Sequence, residues 1–204
     1  MDATTLIKQY PTTFREDVGL DFHRDDAEGL FHWLTATVLF AKPVSWKSSA
    51  NTAKAFFDAG IVTAEQMADC GWSGRLEILE QSSMPRFRET MADLLGEMAG
   101  YVGERYAGDL HRLHDDCSIE GVTRRLTDVP GIGELGCDIY LKEVQHIWKT
   151  AFPYADEDAL NAAQQIGLPG HAERLANGRS REDFVRLVSA LTKAALENDK
   201  ALAS

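Results

Sequence analysis

The chain has 204 residues, of which 44% are hydrophobic and 26% are charged, and its formal net charge is -11. This composition excludes a fibrous or disordered class, and the length is enough to bury a core in one unit or in two compact lobes. No apolar run approaches the roughly 20 residues that a membrane-spanning helix needs, and the amino terminus lacks the order of a secretory signal. We therefore expect a cytoplasmic protein without a membrane partner.

The cysteines are Cys70, Cys117 and Cys137, which are scattered along the chain and odd in number. This pattern argues against a framework of disulfides. It also leaves too few thiolates for a four-cysteine iron–sulfur cluster, so we expect no such cofactor.

Helical periodicity begins early in the chain. Apolar residues spaced by three and four predict a buried helix face over residues 30 to 38, with Asp25 or Asp26 as its cap. Farther on, Thr63 and Gln66 have the spacing of a capping box, which predicts the start of another helix.

The same periodicity continues to the carboxy-terminal part of the chain. A repeat that begins with Phe87 and ends at residue 102 predicts the clearest helix, with Pro85 close to its first turn. Ser180 and Asp183 then have the spacing of a helix cap, and apolar residues follow them. No stretch shows the pattern of a strand, so the chain is predicted to be all α.

Residues 129 to 133 predict a tight reversal between two helices. Pro130 fixes its own backbone torsion, and Gly131 and Gly133 can take conformations that side chains forbid. A helical apolar pattern then runs from 137 to 148. Amides at the start of that helix would point outward, where they can bind a phosphate, and the glycines would let a DNA backbone approach. A plain turn between two helices is the alternative interpretation.

This segment resembles the hairpin of the helix-hairpin-helix superfamily of base-excision DNA glycosylases, in its endonuclease III-like branch. That family carries Leu-Pro-Gly-Val-Gly, followed downstream by a catalytic Asp at the start of another helix. Here the hairpin is Val129-Pro130-Gly131-Ile132-Gly133, and Asp156 matches the catalytic Asp, with Asp158 as the fallback. A weaker upstream likeness places Lys42 where the family's polar side chain fills the gap left by a flipped base.

The resemblance implies a single all-α unit of two helical lobes around a central helix-hairpin-helix motif. One lobe would span 28–150 and end in the hairpin, and 1–27 with 151–204 would form the other. Double-stranded DNA would be the partner, and hairpin carbonyls would hold a monovalent cation. Asp156 would stabilise the positive charge that develops on the sugar as the base leaves, or would activate water.

Two residues beside the hairpin depart from the family pattern. Leu135 replaces the lysine that forms a Schiff base in bifunctional members, so we expect only hydrolytic base release unless another lysine substitutes from a different position. Glu134 adds negative charge beside the amides that would bind phosphate.

The net charge of the chain also opposes DNA binding. A second hypothesis is therefore a non-catalytic helix-hairpin-helix protein that binds DNA structure or a protein partner. In either case we expect a monomer.

The run from His111 to Cys117 supports a third hypothesis. It contains two histidines three residues apart, two carboxylates and a thiol, which are ligand types that zinc accepts. An exposed polar helix end explains the same residues without a metal. No metal site is assigned from the sequence.

Overall fold

The computed structural model describes residues 2–21, 23, 25–84, 86–115 and 118–197. Every regular element within these ranges is a helix, which confirms the predicted all-α class. The α-helices are α1 (Ala3–Gln9), α2 (Phe14–Asp17), α3 (Ala27–Phe40), α4 (Trp46–Asp58), α5 (Ala64–Asp69), α6 (Gly71–Gln81), α7 (Arg88–Tyr106), α8 (Ile119–Thr127), α9 (Glu134–Val144), α10 (Glu157–Gln165), α11 (Ala172–Ala176) and α12 (Arg181–Leu196). Short 3-10 helices span Leu110–Leu113 and Lys149–Ala151. None of the described helices combines the length and apolarity needed to cross a membrane.

The chain divides into two compact units. Residues Asp17–Tyr140 form one, called the hairpin unit below, and Met1–Glu16 with Leu141–Ser204 form the other, called the terminal unit. The lobes inferred from the family resemblance stay a prediction. Their bounds differ from this division, which assigns 17–27 to the hairpin unit and 141–150 to the terminal unit.

Helix α3 lies in the core of the hairpin unit. Its residues from Gly29 to Leu39 are all buried, as expected of a helix surrounded by other helices. Asp26, one of the two predicted caps, accepts the amide of Gly29 at 2.7 Å. The indole of Trp33 donates to the carbonyl of Tyr140 at 3.2 Å, which links α3 to α9.

Helix α7 differs from its prediction at its first residue. Met91, Leu95, Met98 and Val102 are buried as expected. Phe87, however, precedes the helix, has a positive φ of 63° and is 44% exposed. Its left-handed backbone cannot belong to an α-helix, so the buried face begins one turn later. Pro85, predicted near the first turn, lies outside the described residues.

The other two predicted side-chain caps are also present. Thr63 and Gln66 form a reciprocal capping box at the start of α5. Ser180 caps α12 by accepting the amide of Asp183 at 3.0 Å. These contacts satisfy helix-start amides that would otherwise have no partner in the helix.

The core of the terminal unit forms where α1, α10 and α11 pack on α12. Its buried members include Leu6, Phe184, Leu187, Val188 and Leu191. Arg186 of α12 binds both carboxylate oxygens of Glu16, at 2.9 and 3.0 Å. The amino-terminal segment is thereby fixed to the carboxy-terminal helix.

Helix α9 is shorter than its apolar pattern predicts. It ends at Val144 instead of continuing to Trp148. Trp148 is still buried, because a turn in which its amide donates to the Val144 carbonyl at 2.7 Å returns it to the core. The helical spacing of apolar residues therefore continues through a turn, and periodicity alone cannot distinguish such a turn from a longer helix.

Candidate functional site

The segment between α8 and α9 is a tight reversal, as its sequence predicts. Gly131 has a left-handed φ of +87°, and the amide of Ile132 donates to the carbonyl of Val129 at 3.0 Å. Val129 and Ile132 are buried and anchor the turn. Pro130 is half-buried, and Gly133 is exposed. The turn therefore has an anchored side and an open side.

The two hairpin glycines have different surroundings. A Cβ on Gly131 would lie 3.1 Å from both Val38 Cγ1 of α3 and Leu94 Cδ2 of α7. A Cβ on Gly133 would meet nothing within 4 Å. Gly131 is thus required for packing of the turn, whereas Gly133 leaves open space in front of the backbone.

Helix α9 starts immediately after this open glycine. Its first helical hydrogen bond runs from the amide of Cys137 to the carbonyl of Gly133, at 2.9 Å. The preceding amides of the first turn have no carbonyl partner in the helix, as at any helix start. Such amides suit an anion.

The charge around this helix start is negative. Glu134 is exposed in the first turn, beside Leu135, whose side chain is 54% exposed. Burial, and after it the negative charges of Asp138 and Glu134, together raise the pKa of the Cys137 thiol to about 11. A phosphate at this position would therefore meet favourable amides and unfavourable carboxylates.

Lys42 lies in the turn between α3 and α4 and is half-buried. Its amide donates to the Leu39 carbonyl at 3.2 Å, and its own carbonyl accepts the Val44 amide at 2.7 Å. Shortly before it, Val38 lies against the hairpin at Gly131. Lys42 therefore follows, within one short turn, the helix whose Val38 packs against the hairpin.

Asp156, in the terminal unit, is the N-cap of α10. Its Oδ1 accepts the amide of Ala159 at 3.1 Å. The side chain is 10% exposed, whereas Asp158 lies exposed in the first turn of the same helix. Of the two candidate carboxylates, only Asp156 has a fixed orientation and a largely water-excluded environment.

The second oxygen of Asp156 has a partner that the sequence analysis missed. Oδ2 forms an ion pair with the ammonium of Lys142, whose side chain is only 6% exposed. The same Nζ lies 3.5 Å from Thr192 Oγ1, and the Thr192 hydroxyl donates to the Val188 carbonyl at 3.0 Å. The carboxylate that begins α10 is therefore paired with a lysine of α9, and that lysine in turn contacts a threonine of α12.

Gln145 fixes the backbone that leads to Asp156. Its side-chain amide donates to the Tyr154 carbonyl at 2.7 Å and accepts the Tyr154 amide at 2.8 Å. It also donates to the Lys142 carbonyl at 2.8 Å. Because Gln145 is fully buried, these bonds hold the segment before Asp156 against the end of α9.

Glu143, next to Lys142, is a second buried carboxylate of the terminal unit. Burial raises its pKa, against the opposing effects of the Ser189 hydroxyl, the amides of Phe14 and Arg15, and the charge of Lys193. The two amides donate to it at 3.2 and 3.3 Å. Its bonds therefore hold the start of α2, and it is a structural group.

One sequence signal pointed to these missed residues. Polar side chains that interrupt the buried face of a helix indicate a buried polar network, because each needs a partner. In the described part of this unit they include Lys142, Glu143, Ser189, Thr192 and Lys193, and Gln145 lies just beyond the end of α9.

His111 lies in the hairpin unit with both ring nitrogens on carboxylates. Nδ1 is 2.6 Å from Asp109 and Nε2 is 3.1 Å from Asp25. Burial lowers its pKa, but the hydrogen bonds and charges of the two carboxylates outweigh this effect and raise it. In the described ranges, no group of three or more His, Cys, Asp or Glu could hold a metal ion. Asp116 and Cys117, part of the third hypothesis, lie outside the described residues.

A comparison with solved structures identifies the fold. The chain matches the structure of a thermostable thymine-DNA glycosylase with a TM-score of 0.52 and 18% sequence identity, over 95% of this chain and 88% of that one. Neither the family models nor the curated proteins give a match. At this identity the likeness concerns the fold, and it agrees with the fold that the hairpin resemblance implied. The chain therefore has the all-α fold of a DNA glycosylase.

Proposed function

We propose that the protein is a DNA glycosylase-like enzyme of base-excision repair, which hydrolyses the N-glycosidic bond of a damaged or mispaired base in double-stranded DNA. The observation that carries the proposal is the position of Asp156. Its carboxylate is oriented and largely buried at a helix start, in a chain with the fold of a DNA glycosylase. It also follows a glycine hairpin along the chain.

In this proposal the hairpin holds the DNA backbone. The amides of the first turn of α9 bind a phosphate, and the open space at Gly133 lets the strand approach. Carbonyl oxygens of the turn are the hard ligands that a monovalent cation takes, and its positive charge would offset Glu134. Lys42 fills the space that the flipped nucleotide leaves.

Asp156 acts on the sugar. As the bond from C1′ to the base breaks, positive charge develops on the sugar ring, and a fixed carboxylate stabilises it or activates water. Each carboxylate oxygen has two lone pairs, so the bonds to Ala159 and Lys142 leave acceptor capacity for this role. Water supplies the hydroxyl at C1′, and the base leaves with the bonding electrons and takes a proton. Leu135 has no amine that could form a Schiff base with the sugar, so the proposed mechanism is monofunctional as far as that position is concerned.

The test is release of a free base from duplexes that each carry one altered or mispaired base, beginning with thymine opposite guanine. We expect Asp156→Asn to reduce release by about 100-fold or more while duplex binding is retained. Asp158→Asn, a substitution in the same helix turn, is the control and should retain release. If only Asp158→Asn abolishes release, the site is Asp158; if neither variant loses activity, the proposed mechanism is wrong.

The second candidate is a non-catalytic protein of this fold that binds DNA structure or a protein partner. The exposed Glu134 and the exposed Leu135 at the start of α9 favour it, since neither suits a phosphate. Duplex or partner binding without release of any base, unchanged in Asp156→Asn, would support this candidate.

A further inference from the structure

We infer that Lys142 is a positioning residue for Asp156, which holds the carboxylate in the orientation that the proposed reaction needs. The inference rests on the proposed function and assigns a role to a residue outside the hairpin. Lys142 would not touch the sugar; it would act through the carboxylate.

The contacts around the pair leave the carboxylate little freedom. Oδ1 is fixed by the amide of Ala159, and Oδ2 is fixed by the ammonium of Lys142. The ammonium is itself near Thr192 Oγ1, and Gln145 fixes the preceding backbone at Tyr154. Both rotatable bonds of the Asp156 side chain are thus restrained from two directions.

Burial distinguishes the Lys142–Asp156 ion pair from an ordinary ion pair at the surface. The side chains of Lys142 and Asp156 are 6% and 10% exposed, whereas those of the Lys54–Asp58 pair are 49% and 59% exposed. Exposed pairs restrain side chains weakly because water competes for both charges. A buried pair is held together, since separating it would leave two unsolvated charges.

This burial also determines whether Lys142→Met should strengthen or weaken the stabilisation of a sugar cation. Without the ammonium, the nearly buried Asp156 would lack a counter-charge, a state that proteins avoid. The carboxylate would turn toward water, and this change removes the negative charge from its place. Cation stabilisation at the site should therefore fall, although a positive charge has been deleted nearby.

The experiment compares two duplexes, one with a positively charged pyrrolidine analogue of the abasic sugar and one with a neutral tetrahydrofuran abasic site. The ratio of their dissociation constants measures the preference for a cationic sugar, and it needs no knowledge of the excised base. We expect Lys142→Met to reduce this preference by about tenfold or more and Lys142→Arg to restore part of it. Lys149→Met, at an exposed lysine in the same unit, should leave it unchanged.

Two further variants separate positioning from folding. Lys142→Met in an Asp156→Asn background should cause no additional loss of preference, because Lys142 acts through Asp156. If Lys142→Met does not fold, as judged by its thermal unfolding, Lys142→Gln takes its place because it keeps N–H donors without the charge.

The outcomes distinguish this inference from the proposed function. A preference that Asp156→Asn abolishes and Lys142→Met leaves unchanged or increases overturns only the role of Lys142. A preference that Asp156→Asn does not alter contradicts the proposed function itself. A covalent adduct with an abasic-site duplex after borohydride reduction, lost in Lys142→Met, would overturn the positioning role by showing that Lys142 is a nucleophile.

Discussion

Substitution of Gly131 by alanine tests the packing of the hairpin. A left-handed backbone with a side chain costs about 1–2 kcal/mol. The added Cβ would also lie 3.1 Å from side chains of Val38 and Leu94, and Val38 is fully buried and cannot move freely. Overpacking of this kind costs about 1–2 kcal/mol more. Together these effects predict a loss of about 2–4 kcal/mol in the free energy of unfolding.

Gly133→Ala is the matched control in the same turn. Its Cβ meets nothing within 4 Å, and its φ is outside the left-handed region. We expect unfolding in urea to give Gly133→Ala the stability of the unaltered protein, or up to about 1 kcal/mol more. Its affinity for duplex DNA should nevertheless fall, because the methyl group occupies the space proposed for the strand. Equal stability of the two variants would refute the packing argument, and unchanged DNA affinity of Gly133→Ala would refute the role of the open side.

Two further predictions concern the hairpin unit. In α7, a Cβ on Gly96 would lie 2.8 Å from Cζ of Arg75. Gly96→Ala should therefore displace that buried guanidinium from its hydrogen bonds to backbone carbonyls and destabilise the protein by about 2–3 kcal/mol, measured by thermal unfolding. The control is Gly100→Ala, whose Cβ would meet nothing within 4 Å and which should be neutral or stabilising in that assay. The raised pKa of His111 means that its stabilising effect is fully present below its unfolded value of 6.5 and is lost as the pH rises through its folded pKa. His111→Asn should therefore be less stable than the unaltered protein in mild acid and equally stable in base, and a difference that grows with pH would contradict this.

Much of the helical framework could be predicted because it depends on local rules. The Thr63 capping box, the Ser180 cap and the hairpin glycines each depend on neighbours in sequence, and each is present. The errors occurred where local patterns continue past an element. Phe87 and Trp148 both fit an apolar repeat, yet a left-handed residue and a turn place them outside their helices.

The surroundings of Asp156 could not be predicted in the same way. Its position as the cap of α10 follows from local sequence, and the structure shows that contact. Its ion pair with Lys142 depends on how α9 meets α10, which no nearby spacing encodes. The absence of an amine at Leu135 suggested another lysine only as a nucleophile, whereas Lys142 forms a buried ion pair with the carboxylate.

The most direct test of the proposed function is the affinity of the unaltered protein for the cationic and neutral abasic duplexes, measured at low and moderate salt. If Asp156 stabilises a sugar cation, the cationic duplex binds more tightly at both salt concentrations, and Asp156→Asn removes the difference. Equal affinity for the two duplexes, or a preference that Asp156→Asn leaves intact, would contradict a glycosylase role for this carboxylate.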